Sequence, residues 1–349
     1  MRRVATAQRD IATAVGVPYP AYLDTIIAHL APLPVTVGPG GGAVWAAADG
    51  KSWVESSIWR HFASVLYPIW PTESVDAFSS DQGTAKLALA SAVLYSNLTC
   101  GGGFPELPYK TCVDAGWGAL TIFSALARVL PAVPGSNCAV GVKSPLANTA
   151  ATAADGARAE SAPPPPPQPA ALTAADVADA FEIYIAAYSA NSTNFLAYAP
   201  GGGVENIGLS QGVNDMLLQS SGGILHLFPA WPRNEPASFA TLRAKGAYLV
   251  SASWDPAAQT AKDVSITATV FSPKVTLASP FAGAHEAGGD AQSQRQMERE
   301  TQAQSISLHC STAGKAGKAR TVKMSDAGTF IWSMAANEVC QVEPVHAAY

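Results

Sequence analysis

The chain has 349 residues, of which 48% are hydrophobic and 13% are charged. This length allows two domains of ordinary size, each with its own hydrophobic core. With 21 basic against 26 acidic residues there is no basic excess of the kind that nucleic-acid binding requires. No apolar run reaches the roughly 18 residues of a membrane-spanning helix. We therefore predict neither a nucleic-acid partner nor a membrane span.

The first part of the chain, up to about Ser221, has the spacing of helices. Apolar residues recur at helical intervals in residues 87–94 and again in residues 120–130. Residues 137–170 break this pattern, because they are rich in alanine, threonine and serine and include five consecutive prolines. We predict a disordered insertion there, followed by a further helix that begins near Thr173 and ends near Asn191.

From Gly222 onward the pattern changes to short alternating or β-branched runs, which are typical of strands. These runs are residues 224–228, 247–252, 264–271, 274–277, 305–309 and 329–332. We predict an antiparallel β-sandwich over residues 223–349. Residues 282–304 are polar and show no strand pattern, so we predict a long exposed loop.

The cysteines and histidines show no spacing typical of a metal site. Cys100 with Cys112, and Cys310 with Cys340, are close enough in sequence for local disulfides, and buried free thiols are the alternative. We predict neither a metal nor a cofactor. The sequon at Asn97 and a second one at Asn191 suit a secreted protein, although no signal peptide is visible.

The strongest candidate for chemistry is Glu205, which follows three consecutive glycines and precedes a helical pattern. The glycines allow a tight turn and leave space for a ligand, and Asn206 or Ser210 can cap the helix. A carboxylate at this junction can act as a general base toward water. The alternative is that it only complements the helix dipole.

This stretch, with the residues that follow it, resembles glycoside hydrolase family 95, which contains α-L-fucosidases and α-L-galactosidases. The family carries an Asp-Gly-Asn-Phe-Gly-type motif, a helix ending in Glu-Met-Leu-Leu-Gln-Ser, a Leu-Pro-Ala-Leu-Pro strand and an Arg-Ala-Arg-Gly turn. The matching positions are Glu205, residues 215–220, residues 228–232 and residues 243–246. The resemblance implies that Glu205, helped by Asn206, positions the hydrolytic water.

Two further segments carry the resemblance in the same order along the chain. Residues 60–71 are similar to the family's Arg-His-Val-Ser-His-Leu-Tyr-Gly-Leu-Tyr-Pro segment, which implies that Arg60 and His61 contact the sugar. Residues 115–128 are similar to the family's Gly-Trp-Ser-x-Ala-Trp helix. Trp117 is then either a platform for the sugar ring or a core residue.

The chain also departs from the family pattern. Glu205 stands where the family has aspartate, and the histidine that precedes the family motif is absent. The family's general acid lies upstream of every matched segment, so we expect the chain to be a fragment that lacks it. Candidates for a substitute acid are Glu55, Glu73, Glu106 and Asp215, of which Glu73 and Asp215 are interpreted as solvated charges at helix starts or on helix faces.

The resemblance implies a multidomain α+β protein, with a partial (α/α)6 toroid over residues 1–222 followed by the β-sandwich. The implied activity is inverting hydrolysis of a terminal glycosidic bond in an oligosaccharide or glycan, which requires an acid and a base on opposite sides of the bond. Two alternatives remain open. One is a non-catalytic, carbohydrate-binding or degenerate relative, and the other is a structural extracellular glycoprotein.

Overall fold

A computed structural model gives the fold of the protein. It describes residues 2–38, 41–52, 64–78, 81–99, 116–130, 207–281, 305–312 and 315–345. The predicted insertion at 137–170, the predicted helix at 173–191 and the predicted loop at 282–304 lie outside these residues.

The helices are concentrated in the first part of the chain, as the apolar spacing predicts. The described helices are α1 (Arg2–Val15), α2 (Tyr22–His29), α3 (Gln82–Thr99), α4 (Gly116–Val129) and α5 (Ile207–Leu217). Helix α4 packs between α3 and α5, and every one of its side chains from Phe123 to Val129 is buried. None of the described helices is long and apolar enough to cross a membrane.

A short β-hairpin also lies in this first part, where only helices were predicted. Strands β1 (Val35–Val37) and β2 (Ala43–Trp45) pair antiparallel. The hairpin is attached to α3, because the Trp45 amide donates to Ser91 Oγ at 2.8 Å and the Tyr95 hydroxyl donates to the Trp45 carbonyl at 2.7 Å. Strands of three residues are too short to produce a recognisable alternation, which explains why the sequence pattern missed them.

The C-terminal part is built from β-strands. Two short strands, β3 (Leu218–Gln219) and β4 (His226–Leu227), pair beside α5. The longer strands are β5 (Ala237–Ala244), β6 (Tyr248–Asp255), β7 (Thr260–Ala268), β8 (Ser272–Ala278), β9 (Ser305–Thr312), β12 (Thr329–Met334) and β13 (Glu338–Pro344), with the short β10 (Lys315–Ala316) and β11 (Arg320–Lys323) after β9. A seven-stranded antiparallel sheet has the order β10-β9-β13-β7-β6-β5, with β11 also paired to β9.

The remaining strands β8 and β12 pair with each other in a second antiparallel sheet. One hydrophobic core contains side chains from both sheets, among them Val250 and Ile266 of the large sheet and Leu277 and Phe330 of the small one, all fully buried. Burial of this apolar area is the main stabilising contribution in the C-terminal part. The small sheet therefore lies against one face of the large sheet.

The six predicted strand regions fall on β4, β6, β7, β8, β9 and β12, which confirms them. Strands β5 and β13 were missed, as were the short strands β3, β10 and β11. In β13 the residues alternate regularly, with Cys340 and Val342 buried and Gln341 and Glu343 exposed, so its sequence carried the strand signal. Strand β5 lies at the sheet edge and is interrupted by a register shift between Phe239 and Leu242, which obscures its alternation.

The chain thus combines helices with a multi-strand antiparallel sheet in its C-terminal part, as predicted in coarse outline. The described residues are too few in the helical part to show a toroid. The toroid, the β-sandwich and the boundary between residues 222 and 223 stay predictions.

Candidate functional site

The site residues inferred from the sequence fall outside the described residues. Glu205 and Asn206 immediately precede α5 in the sequence, and Arg60 and His61 belong to residues 53–63, which the structure does not describe. Trp117 is the second residue of α4, and only its backbone is described. Glu55 and Glu106 also lie outside the described residues.

A polar cleft of about 260 Å³ lies where the helices meet the β-strands. Its walls come from α4, from α5 with the segment that follows it, from the end of β5 with the turn that follows it, and from the loop that carries Glu73. The lining residues are Glu73, Arg128, Gln211, Asn214, Asp215, Leu218, Gln219, Ser220, Leu242, Arg243 and Lys245. Three segments that carry the family resemblance, 115–128, 215–220 and 243–246, therefore contribute to one cleft.

The floor of the cleft is a buried ion pair between α4 and α5. Arg128 donates from Nε to Asp215 Oδ2 at 3.1 Å and from Nη2 to Asp215 Oδ1 at 2.7 Å. Gln211 donates to the same Oδ1 at 2.9 Å. Because Asp215 is only 2% exposed and Arg128 only 6%, each charge depends on the other for the interactions that water would otherwise provide.

Glu73 connects this ion pair to the β-sheet. Its Oε1 lies 3.1 Å from Arg128 Nη2, and its Oε2 contacts Lys245 Nζ in the β5–β6 turn. Glu73 has a positive φ of 50°, which costs a non-glycine residue free energy and occurs where surrounding contacts impose it. The interpretation of Asp215 as a solvated charge is wrong, because its side chain is buried. Glu73 lies in a loop, neither at a helix start nor on a helix face.

The buried environment dominates the protonation of Asp215. Burial raises the pKa of Asp215 above its ordinary value, while Arg128 and then Gln211 act in the opposite direction. Burial has this effect because a low-dielectric site disfavours the charged form of a carboxyl group. Asp215 thus gives up its proton less readily than an exposed aspartate.

Gln219 fixes the end of α5 against α4. Its buried amide nitrogen donates to the Ala127 carbonyl and to the Asp215 carbonyl, each at 2.8 Å. Ser220 then ties this segment to the β5–β6 turn, because its hydroxyl oxygen accepts the Lys245 amide at 3.1 Å. The orientation of α5 is therefore set by polar contacts at both the helical and the strand side of the cleft.

The two described carboxylates of the cleft do not form an acid–base pair for an inverting hydrolase. Glu73 Oε1 and Asp215 Oδ1 both contact Arg128 Nη2, so the guanidinium occupies the space between them, where an inverting hydrolase needs the attacking water and the scissile bond. Each carboxylate is also neutralised by a cation. Their role in the described structure is to hold the cleft together.

The sequence pattern gave Arg128 no role. A single arginine in the apolar sequence of α4 carries a usable signal, because a charged side chain on a buried helix face needs a buried partner. The sequence alone does not identify that partner, since Asp215 lies 87 positions further along the chain.

A second contact between the two parts of the chain involves His226 of β4. The imidazole ring stacks on Phe78 with 3.5 Å between ring centroids and 10° between planes. Its Nε2 is buried and has no hydrogen-bond partner among the described residues. Burial lowers the pKa of His226 from 6.5 to about 4, although the charge of Asp76 acts in the opposite direction.

This depressed pKa predicts acid sensitivity. A histidine that resists protonation in the folded state lets the unfolded state bind more protons between pH 6.5 and about 4, so stability falls as pH decreases through that window. The shift corresponds to at most about 3 kcal/mol. The free energy of unfolding, measured by urea denaturation at several pH values, should fall with decreasing pH in the wild type. In His226→Gln it should depend less on pH. The same pH dependence in both proteins would mean that His226 is not its cause.

One group of potential metal ligands occurs among the described residues, formed by Cys310, Glu338 and Cys340. Cys310 of β9 and Cys340 of β13 form a disulfide, as one of the two alternatives predicted, and are not free thiols. Neither sulfur is then a thiolate ligand, and Glu338 is left as a single carboxylate. Cys100 and Cys112 lie outside the described residues.

Comparison with known proteins gives no assignment. No known protein family matches the chain, and no curated protein matches it.

Proposed function

We propose that the protein is a glycoside hydrolase similar to α-L-fucosidases, which hydrolyses a terminal glycosidic bond with inversion. Glu205 acts as the general base toward water and Asn206 helps to orient that water. Arg60 and His61 hold the sugar. The proposal rests on the motif resemblance, and the comparisons with known proteins add nothing to it.

The observation that carries the proposal is the convergence of the resembling segments around the polar cleft. Arg128 lies at the end of the segment that contains Trp117, and Asp215 lies in the helix that begins directly after Asn206. The 2.7 Å contact between Arg128 and Asp215 links the two segments. A fixed α5 supports the proposed role of Glu205, because a general base must be held within hydrogen-bond distance of its water.

The finer architecture is part of the same proposal. We infer that the helices belong to a partial (α/α)6 toroid over residues 1–222, and that residues 223–349 form a β-sandwich. The core shared by the seven-stranded sheet and the β8–β12 sheet supports the second inference. An experimental structure of the whole chain, in which the helices did not alternate as hairpins, would contradict the first.

Hydrolysis of aryl α-L-fucosides, aryl α-L-galactosides and other aryl glycosides tests the activity. The wild type should release the aryl group from at least one substrate, and proton NMR should show the inverted anomer as the first product. A matched control is Glu343→Gln, because Glu343 is an exposed glutamate of β13 with 67% side-chain exposure. No release from any substrate by folded protein would contradict the proposal.

A sugar-binding protein without turnover is the second candidate. The observation that favours it is that both described carboxylates of the cleft are occupied by cations, so neither is available as the general acid. Calorimetric titration with fucose and galactose distinguishes the candidates. Binding without release from the corresponding aryl glycosides would support a binding protein, and release would exclude it.

A further inference from the structure

The Cys310–Cys340 disulfide lies beside a basic side chain. Cys310 of β9 and Cys340 of β13 are directly opposite each other in the antiparallel pairing of these strands. Arg320 of β11 donates from Nη2 toward both sulfurs, at 3.1 Å from Cys310 Sγ and 3.8 Å from Cys340 Sγ. Sulfur in a disulfide is a weak hydrogen-bond acceptor. The guanidinium would therefore interact more strongly with a thiolate at this position than it does with the disulfide.

An acidic side chain opposes this arginine. A carboxylate oxygen of Glu338 lies within 4.8 Å of both sulfurs, and Glu338 Oε1 lies 3.3 Å from Arg320 Nη2. Glu338 Oε2 also accepts the Ala335 amide at 2.7 Å, and Arg320 Nη1 donates to the Ser333 carbonyl at 3.4 Å. An ionised carboxylate has no proton to donate to sulfur. The two charges thus act on a thiolate in opposite directions, and of the two only the arginine can donate hydrogen bonds to it.

The surroundings of the sulfurs make a cation important for the reduced form. Cys310 is only 5% exposed and Cys340 is fully buried. A buried charge is costly unless it is paired, and a neighbouring arginine favours the thiolate form of a cysteine. Arg320 therefore stabilises the reduced pair more than it stabilises the disulfide. A disulfide whose reduced form is stabilised in this way is easier to reduce.

We propose that the Cys310–Cys340 disulfide is a redox-responsive link between β9 and β13, which small thiols open because Arg320 stabilises the reduced form. Strand β9 pairs with β10 and β11 on its other side, so the link reinforces the attachment of one side of the seven-stranded sheet. That attachment is then stronger under oxidising than under reducing conditions. The inference goes beyond the proposed hydrolysis and does not depend on it.

The reaction is thiol–disulfide exchange with a small thiol such as glutathione. A thiolate of the reductant attacks one sulfur, the S–S bond breaks, and the other cysteine leaves as a thiolate. A second thiol then resolves the mixed disulfide, so that two small thiols become one small disulfide and the protein gains two electrons. One proton goes to Cys340. The other passes to solvent where Arg320 holds the thiolate of Cys310, whose Sγ lies nearer to the guanidinium.

Equilibration of the full chain with mixtures of reduced and oxidised glutathione tests the proposal. Alkylation followed by mass spectrometry gives the reduced fraction of Cys310 and Cys340 separately from the other cysteines. The wild type should be partly reduced in these mixtures, which disulfides with only a structural role resist. Arg320→Met should shift the equilibrium about tenfold toward the disulfide, because a hydrogen bond to a charged group contributes about this much. This difference should shrink as pH decreases and the thiolate becomes protonated.

Two further variants separate the effect of charge from that of packing. Glu338→Gln keeps an oxygen that can accept the Ala335 amide, and it should shift the equilibrium in the opposite direction, toward the reduced form. Lys318→Met, which changes an exposed lysine between β10 and β11, should match the wild type.

Three results would overturn the proposal. One is a wild type that stays fully oxidised in excess reduced glutathione, and another is an unchanged equilibrium in Arg320→Met with an unchanged circular dichroism spectrum. The third is a shift in the same direction in Arg320→Met and Glu338→Gln, because the effect would then come from packing and not from charge. Since no measurement here requires turnover, failure leaves the proposed hydrolysis untouched, and absence of hydrolysis leaves this link untouched.

Discussion

Arg128→Met should lower the free energy of unfolding by about 3–5 kcal/mol at neutral pH, the cost typical of removing one partner of a buried ion pair. The methionine keeps much of the apolar volume, so the loss comes mainly from the charge. Asp215 would remain 2% exposed, and the neutral Gln211 amide that donates to it does not replace the lost positive charge. Urea unfolding followed by circular dichroism measures the change.

The pH dependence of this variant identifies the mechanism. Because burial raises the pKa of Asp215, the folded state binds its proton more tightly than the unfolded state does, and loss of Arg128 strengthens this effect. The destabilisation should therefore shrink as pH decreases and Asp215 becomes protonated. The double variant Arg128→Met/Asp215→Leu should recover part of the loss.

A suitable control is Arg243→Met, which removes an exposed arginine from the same cleft and should change stability by about 0.5 kcal/mol or less. If Arg128→Met proved no more destabilising than this control, the buried pair would not be what holds α4 to α5.

Loss of the Cys310–Cys340 disulfide should cost about 3–4 kcal/mol. The two residues are 30 positions apart, and closing a loop of that size removes about this much conformational freedom from the unfolded chain. Both cysteines are buried, so the double variant Cys310→Ala/Cys340→Ala avoids placing a new polar group in the core. Thermal unfolding of this variant should show a clearly lower Tm than the wild type.

Reduction of the wild type provides the comparison. A reducing agent should lower its Tm toward that of Cys310→Ala/Cys340→Ala and leave the variant unchanged. An unchanged Tm of the wild type, with both thiols shown to be alkylated after reduction, would mean that the disulfide does not stabilise the sheet. Differences between the two proteins without reducing agent would then reflect core packing alone.

The local parts of the fold could be predicted from the sequence because they depend on periodicity. The helical spacing of apolar residues in α4 and the alternating burial of β6 are examples. The β1–β2 hairpin could not be predicted in this way, since its attachment depends on two hydrogen bonds, from the Trp45 amide to Ser91 and from the Tyr95 hydroxyl to the Trp45 carbonyl. Pairing of distant strands, such as β13 with both β7 and β9, likewise depends on the assembled core.

The cleft illustrates the same limit. The sequence drew attention to residues 215–220 and 243–246 as motif segments, but it gave no indication that Arg128 pairs with Asp215 or that Glu73 contacts Lys245. Such pairings follow from the three-dimensional packing of α4, α5 and the β5–β6 turn. Asp215, which the sequence suggested was a solvated charge on a helix, is instead buried and connects α5 to α4 through Arg128.

The measurement that most directly tests the proposed activity is the rate of aryl glycoside hydrolysis by Glu205→Gln beside the wild type and Glu343→Gln. General-base catalysis commonly contributes about 10²–10⁴-fold. We therefore predict that Glu205→Gln loses at least a hundredfold in kcat/KM, while Glu343→Gln retains the wild-type value. Wild-type turnover that persists unchanged in Glu205→Gln would contradict the role assigned to Glu205 as the base.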